Sequence, residues 1–235
     1  MTRPSVSNPW SQVDESLAHR QRQTVMEIIH RGRTFANALE VGWSALILAE
    51  HLFRLVELEN PLPRPLDCRA GCDYCCHNQI ELTPPEALLL GDFIAKNFSD
   101  AEKSGIIQKI EKLNAIKAGR SKAQLALLRR KLPCPLLQDG LCAAYPVRPL
   151  ACRAMHSLDA GRCEASLNSA ELVQDEYYLH RHTLVNSIVK GLLDGCRAMG
   201  CQAGALDLLQ ALKTLLTQSE TVERWIRGEA VFPSL

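Results

Sequence analysis

The sequence lacks any hydrophobic run of the kind that directs a chain into or across a membrane. Its first ten residues contain no apolar stretch of the roughly 7–15 residues that a secretory signal needs. No apolar run elsewhere approaches the roughly 18–20 residues that span a bilayer. These absences predict a cytoplasmic protein without membrane contact, in a compartment where thiols stay reduced.

An excess of either charge is also missing. The chain has 27 Lys and Arg residues against 26 Asp and Glu residues, which gives a formal net charge of +1. No global field therefore indicates a nucleic acid as a partner. The local exception is segment 112–131, which contains basic but no acidic side chains. Such a run is typical of a solvated helix face, and its other interpretation is a docking surface for an acidic partner.

The motifs of several common enzyme classes are absent as well. There is no phosphate-cradling glycine loop, dinucleotide-binding fingerprint or serine-nucleophile elbow. Neither an internal repeat nor a run of alternating strands can be found. The pattern predicts an all-α fold, with helical flanks around an irregular, cysteine-rich centre that metal ions cross-link.

We expect one domain, 1–235, in three parts. Residues 13–61 form N-terminal helices, divided at Gly32, with an apolar stripe that contains Leu39, Trp43, Leu46, Ile47 and Phe53. Residues 62–165 form the cysteine-cluster region. Within it, Thr83-Pro84-Pro85-Glu86 and Ser99-Asp100 predict helix starts, whereas 133–163 should contain little beyond a turn or two of helix across 147–155. Residues 166–235 form the C-terminal helices.

Cysteine is what this chain does contain, and eight of its ten cysteines fall between positions 68 and 163. Disulfides are disfavoured because the expected compartment is reducing. In addition, the Cα atoms of the adjacent Cys75 and Cys76 lie about 3.8 Å apart, below the usual disulfide range. Coordination of soft metal ions by thiolates is the alternative use of such a cluster.

The spacing of the cysteines predicts thiolate metal sites. Cys72 and Cys75 form a C-x2-C turn that lets two sulfurs reach one ion, and Cys68 can join them. Cys76 is harder to place on that ion. Three alternatives stay open for it: it binds a second metal ion, it bridges two ions, or it only packs against other side chains. The candidate ligands are Cys68, Cys72, Cys75, Cys76, Cys134, Cys142, Cys152 and Cys163, with His77 as a further candidate. Eight thiols match two four-thiolate zinc sites, or one iron–sulfur cluster with spare cysteines.

Three residues near Cys152 are candidates for a supporting role. Arg148 and Arg153 flank it, and a guanidinium there would offset the negative charge of thiolates. Tyr145 can donate its hydroxyl to a sulfur, although packing is the favoured interpretation. Cys196 and Cys201 lie outside the cluster in sequence and are expected to be buried structural thiols.

The first block of cysteines also matches the triad of radical S-adenosylmethionine enzymes. Cys68-x3-Cys72-x2-Cys75 has the required spacing, including an aromatic residue, Tyr74, before the third cysteine. In those enzymes, three thiolates hold a four-iron cluster with one iron open. The barrel fold of those enzymes alternates strands and helices, and this sequence shows no such alternation. A four-iron cluster at these residues nevertheless stays open as an alternative.

Two blocks of the sequence together resemble a known family. Cys68-Arg-Ala-Gly-Cys72-Asp-Tyr-Cys75-Cys76 is followed by a second block that ends in Tyr145-x-x-Arg148-Pro149-x-x-Cys152-Arg153. In this order they resemble the CxxCxxCC family of zinc- or iron-chelating domains, also called YkgJ-like cysteine-cluster proteins. The resemblance covers about residues 62–163 and implies zinc or iron without deciding between them. Flagellin lysine N-methylase carries a related cluster. That similarity implies an alternative, an iron–sulfur enzyme that is either an oxidoreductase or an S-adenosylmethionine-dependent methyltransferase.

Overall fold

The computed structural model describes residues 12–169 and 179–234, apart from the side chain of Lys122. The chain is mostly helical in these ranges, which confirms the predicted all-α class. Residues 170–178, part of the predicted C-terminal helical region, lie outside the described residues. The helices are α1 (Glu15–His30), α2 (Phe35–Glu59), α3 (Pro84–Asn97), α4 (Asp100–Lys117), α5 (Lys122–Leu127), α6 (Leu150–Ala154), α7 (Ala160–Asn168), α8 (Leu179–Ala198), α9 (Leu208–Thr217) and α10 (Thr221–Ile226). Among the described residues, no helix combines the length and apolar character needed to cross a membrane.

Helices α1, α2 and α8 pack against one another, and α8 lies closest to α1. Gly191 and Gly195 are one turn apart on the face of α8 that contacts α1. A Cβ atom at Gly191 would lie 2.2 Å from the carbonyl oxygen of Ala18, and one at Gly195 would lie 2.6 Å from the Cβ of Val25. Because only glycine permits such an approach, these two positions fix how the N-terminal and C-terminal helices pack.

The predicted helix starts are confirmed. In the capping box of α3, the carboxylate of Glu86 accepts hydrogen bonds from the backbone N–H and the hydroxyl of Thr83, at 2.8 and 2.7 Å. Ser99 and Glu102 form the same device at the start of α4. Gly32, with φ of 145°, lies between α1 and α2 as expected. These signals are local, so the sequence alone places them correctly.

Short strands that the sequence did not indicate fasten the centre of the molecule. They are β1 (Glu81–Leu82), β2 (Leu137–Gln138), β3 (Leu141–Cys142) and β4 (Leu206–Asp207). β1 pairs antiparallel with β4 and so joins the central segment to the C-terminal helices. β2 and β3 form a hairpin. Its two turn residues, Asp139 and Gly140, have φ of 49° and 76°, the positive values that a two-residue type I′ turn requires.

The structure corrects two expectations. Helix α7 begins within 133–163, where the sequence predicted little beyond a turn or two of helix across 147–155, and continues past that range. It is capped by Asp159, whose carboxylate accepts the N–H of Arg162 at 3.0 Å. Trp43 and Ile47 do not belong to the buried stripe of α2, because they are 39% and 65% exposed. The neighbouring helices cover only the side of α2 that carries residues such as Phe53, so periodicity overestimated the width of the buried face.

Basic residues of segment 112–131 make contacts within the chain. The ammonium group of Lys117 pairs with Asp207 at 2.5 Å, and Arg129 donates a hydrogen bond to the hydroxyl of Ser166 at 3.1 Å. These contacts hold the segment against β4 and α7. The acidic partner stays a prediction.

Candidate metal centre

Six cysteines from four parts of the chain line one cavity of about 120 Å³. Cys72 precedes a 3₁₀ turn, Tyr74–His77, that carries Cys75 and Cys76. Cys134 lies before β2, Cys142 ends β3, and Cys152 lies on α6. We call these residues the cavity cluster: Cys72, Cys75, Cys76, Cys134, Cys142 and Cys152. Thiols that are up to 80 residues apart in sequence thus share one space.

Tight local turns present the sulfurs to this cavity. The backbone N–H of Cys72 donates to the carbonyl of Arg69 at 3.0 Å, and Gly71 between them has φ of 84°. The N–H of Cys76 donates to the carbonyl of Asp73 at 2.8 Å and so winds the 3₁₀ turn. These hydrogen bonds join residues that are close in sequence. The resulting turn brings Cys72, Cys75 and Cys76 to one wall of the cavity.

Longer-range hydrogen bonds join the cysteine-bearing elements to one another. The N–H of Cys134 donates to the carbonyl of Cys76 at 2.7 Å and holds the two blocks of cysteines together. The N–H of Leu150, at the start of α6, donates to the buried carboxylate of Glu86 at 2.7 Å. Glu86 therefore ties α3 to the helix that carries Cys152. The sequence showed Glu86 only as a capping residue, because its second partner is 64 positions away.

Backbone N–H groups point at several of the sulfurs. The thiols of Cys72, Cys134 and Cys142 accept hydrogen bonds from the residue two positions later: Tyr74, Leu136 and Ala144. Burial raises the pKa of all three thiols, to about 11 for Cys134, and these N–H donors act in the opposite direction. A donor to sulfur favours the thiolate over the thiol. Hydrogen bonds to sulfur also tune metal–thiolate centres.

Charge interactions link Cys75 to other candidate thiols. A hydrogen bond with the side chain of Cys76, together with burial, raises the pKa of the Cys75 thiol. Charge on Cys75 contributes in turn to the raised pKa of other thiols around it, namely Cys68, Cys72, Cys134, Cys142 and Cys152. Thiols that line one cavity disfavour one another's ionisation, and a cation among them would offset this effect.

Arg148 supplies one such cation. Its guanidinium stacks over the ring of Tyr145 at 4.2 Å and lines the cavity, and its Nε is buried without a hydrogen-bond partner among the described residues. Its charge opposes the raised pKa of Cys75 and Cys142. An unpartnered donor beside sulfurs fits an anionic thiolate centre, since a buried N–H group costs free energy until it finds an acceptor.

Arg153 contacts other parts of the chain. Its guanidinium pairs with Glu50 and donates to the carbonyl oxygens of Arg148 and Pro146, at 2.9 and 2.7 Å. It therefore holds the loop that carries Arg148 rather than lining the cavity. Tyr145, 58% exposed, and Leu141, 53% exposed, lie where the cavity meets solvent.

The remaining sequence-predicted ligands lie at the edge of the cluster or outside it. The thiol of Cys68 accepts a hydrogen bond from the N–H of Ser157 at 3.2 Å. Burial raises the pKa of this thiol, and the charge of Cys75 contributes to the rise. Cys163 is buried on α7 and does not line the cavity. The Nδ1 atom of His77 is buried and has no partner among the described residues. Within residues 12–169 and 179–234, no three or more His, Cys, Asp or Glu side chains are positioned so that together they could hold a metal ion.

Cys196 and Cys201 belong to a helix end. The N–H of Cys201 donates to the carbonyl of Cys196 at 2.9 Å, and the N–H of Gly200 donates to that of Arg197 at 3.1 Å, with φ of 67° at Gly200. This is the Schellman motif, which commonly brings the side chains at these two positions into apolar contact. Both thiols are buried, so packing accounts for them.

Comparison with protein families identifies the segment that carries the cavity cluster. Residues 67–179 match the model of the CxxCxxCC family, described as a "Putative zinc- or iron-chelating domain". The segment is therefore similar to the CxxCxxCC family. This similarity supports a general metal-binding role for the chain. No curated protein and no solved structure matched the chain.

The donor set of the CxxCxxCC segment fits the metals in the family description. Among the described residues that line the cavity there is no carboxylate and no imidazole, so its potential side-chain ligands are sulfurs and the hydroxyl of Tyr145. Thiolates suit zinc and iron–sulfur clusters, whereas magnesium and calcium prefer oxygen ligands.

Proposed function

We propose that this chain binds zinc or iron through the thiolates of the cavity cluster. The observation that carries the proposal is the convergence of six cysteines, from four parts of the chain, on one cavity that has no carboxylate among its described lining residues. The N–H donors to Cys72, Cys134 and Cys142 add support, because they favour the charged form that ligates metal.

The bound metal cross-links the central part of the chain. The 3₁₀ turn, the β2–β3 hairpin and α6 each contain only a few residues, and short elements like these have little stability of their own. Coordination bonds between their cysteines would supply the missing connections. In this account the metal is structural, and the protein works as a cysteine-cluster metal-binding module in the cytoplasm. Segment 112–131 remains its candidate surface for an acidic partner.

A second candidate function is an iron–sulfur enzyme. The observation that favours it is the exposure of Leu141 and Tyr145 at the mouth of the cavity, which would let a small molecule reach a cluster inside. Cys68, Cys72 and Cys75 would then hold a four-iron cluster with one open iron. Such a centre would support oxidoreductase chemistry or methyl transfer with S-adenosylmethionine. Without an open position, the site would be purely structural.

Removal of the metal and hydrogen exchange together test the structural account. We expect a chelator to increase amide exchange within 62–165 much more than in α1 and α8, whose mutual packing does not involve the cluster. Cys134→Ser should reproduce this pattern without a chelator, and Cys201→Ser should not. Unchanged exchange in 62–165 after complete removal of metal would contradict a structural role. If removal of the metal bleached a brown colour and abolished a catalysed reaction, the result would favour the iron–sulfur enzyme.

A further inference from the structure

Helix α2 has a second face that the other described residues leave exposed to solvent. The exposed positions of this face recur every three or four residues over about six turns: Ala36, Glu40, Trp43, Ile47, His51, Arg54 and Leu58. We call these residues the outer stripe. Ile47 is 65% exposed and Leu58 is 78% exposed, and no other large hydrophobic side chain among the described residues is exposed to that degree.

The spacing of the outer stripe is typical of a helix that packs lengthwise against another helix. The opposite side of α2 already contacts α1, α3, α8 and α10, so the fold of one chain does not use the outer stripe. Single exposed hydrophobic residues are common on protein surfaces, whereas apolar side chains that line up on one face mark an interaction surface. The partner should therefore present a helix along the outer stripe.

The charges of the outer stripe match a second copy of the same helix. Glu40 and Arg54 lie seven positions, or about two turns, on either side of Ile47. If two copies of α2 pack antiparallel with a two-fold axis at Ile47, each Glu40 lies opposite Arg54 of the other copy. Trp43 then lies opposite His51. A parallel arrangement would place like charges opposite each other, which is unfavourable.

Arg54 is available for such a contact. Its Nε donates a hydrogen bond to the carbonyl of Glu50 at 3.3 Å. The two acidic residues of α2 within about one turn of it pair with arginines of other elements: Glu50 with Arg153 and Glu57 with Arg181. Glu40 pairs with Arg31, and both side chains are about half exposed. An exposed pair of this kind contributes little to stability, so it does not prevent Glu40 from contacting a second guanidinium.

We propose that two copies of this chain associate through the outer stripe, with their α2 helices antiparallel and Ile47 on the two-fold axis. The proposal goes beyond metal binding and does not depend on it, because α2 contains no cysteine. Contacts of Trp43, Ile47 and Leu58 bury apolar surface, and the charged pairs fix the direction of the helices. The association also explains why the apolar stripe in the sequence is wider than the face of α2 that is buried within one chain.

Sedimentation velocity of the full chain, kept reduced so that cysteines cannot cross-link the copies, tests this proposal. We expect a dimer at micromolar concentrations. Ile47→Asp should raise the dissociation constant about 100-fold or more, because two like charges would meet on the axis. The matched control is Leu127→Asp, which should leave the dimer intact, since Leu127 is 62% exposed on α5 and outside the outer stripe. Circular dichroism checks that both variants fold.

Two results would overturn the interface. One is an unmodified chain that stays monomeric throughout this concentration range, as it would if residues outside the described ranges covered the outer stripe. The other is a dimer that survives Ile47→Asp unchanged, which would place the contact between copies on another surface.

Exchange of the two charges tests the antiparallel direction separately. Glu40→Arg and Arg54→Glu should each weaken the dimer about 10-fold, because each places like charges opposite each other at two symmetric contacts. The double variant should restore the affinity, since the pairs re-form with their signs exchanged. An effect that acted only through Arg31, within one copy, would not be repaired by the second substitution. Failure of the double variant to recover would overturn the antiparallel arrangement.

Discussion

The carboxylate of Glu86 accepts a hydrogen bond from the backbone N–H of Leu150 at 2.7 Å, in the interior of the protein. The same carboxylate caps α3 through Thr83. Two helix starts therefore share one buried group. Because α6 carries Cys152, the position of this thiol depends on a side chain that is not itself a candidate ligand.

Glu86→Ala should destabilise the protein and weaken metal binding together. It leaves buried N–H groups of Thr83 and Leu150 without an acceptor, which costs about 1–3 kcal/mol in the free energy of unfolding. Urea unfolding and chelator competition measure the two effects. The matched control is Glu102→Ala, which removes the same capping box from the exposed start of α4. If both variants bound metal equally well, Glu86 would have no role in placing Cys152.

Replacement of Arg148 should weaken metal binding with little effect on the fold. Loss of a group that supports metal ligands typically costs about 10–100-fold in affinity, and we expect Arg148→Gln to fall in this range. Arg69→Gln is the control, since Arg69 also lines the cavity but is 75% exposed and pairs with Asp67. Chelator competition compares them. Equal affinities for the two variants would mean that Arg148 does not act on the thiolates.

The affinity for metal should fall as the pH is lowered. Burial raises the pKa of Cys134 to about 11 and that of Cys152 well above its usual value, so both are protonated thiols near neutral pH without metal. Metal binding must displace these protons, and acid therefore competes with the metal. Chelator competition between about pH 6 and about pH 8, with proton release in weak buffer, measures the effect. An affinity independent of pH would show that the ligands are already ionised in the metal-free chain.

Cys196→Ala and Cys201→Ala should lower stability and leave metal content unchanged. Both thiols are buried in the Schellman motif at the end of α8, and each substitution removes packing there. We expect a loss of about 1 kcal/mol in the free energy of unfolding. Thermal unfolding and elemental analysis check the two parts. Loss of metal in either variant would add the C-terminal helices to the site.

The sequence predicted the elements whose signals are local. The starts of α3 and α4 follow from Thr83 and Ser99, each with its glutamate three positions later. The sequence missed α7 because that helix is short and its cap, Asp159, lacks the glutamate that marked the other two starts. The sequence analysis also missed the strands β1 and β4, since a two-residue pairing between positions 124 and 126 apart leaves no periodic signal.

The composition of the site could be predicted only in part. Spacing selected the cysteines but could not separate Cys163 from the cavity cluster, because membership depends on how α7 packs. Arg148 and Arg153 are equivalent in sequence as flanking cations. The structure distinguishes them: Arg153 forms an ion pair with Glu50, whereas Arg148 lines the cavity. Such assignments depend on partners roughly a hundred positions away and therefore need the fold.

Elemental analysis of the protein, purified without oxygen, tests the central claim most directly. We predict stoichiometric zinc or iron in the unmodified chain, retained in Cys201→Ala and lost or greatly reduced in Cys134→Ser. A colourless preparation would identify zinc, and a brown one an iron–sulfur centre. Absence of both metals from a chain whose thiols stayed reduced throughout would contradict the assignment of the cavity cluster as a metal site.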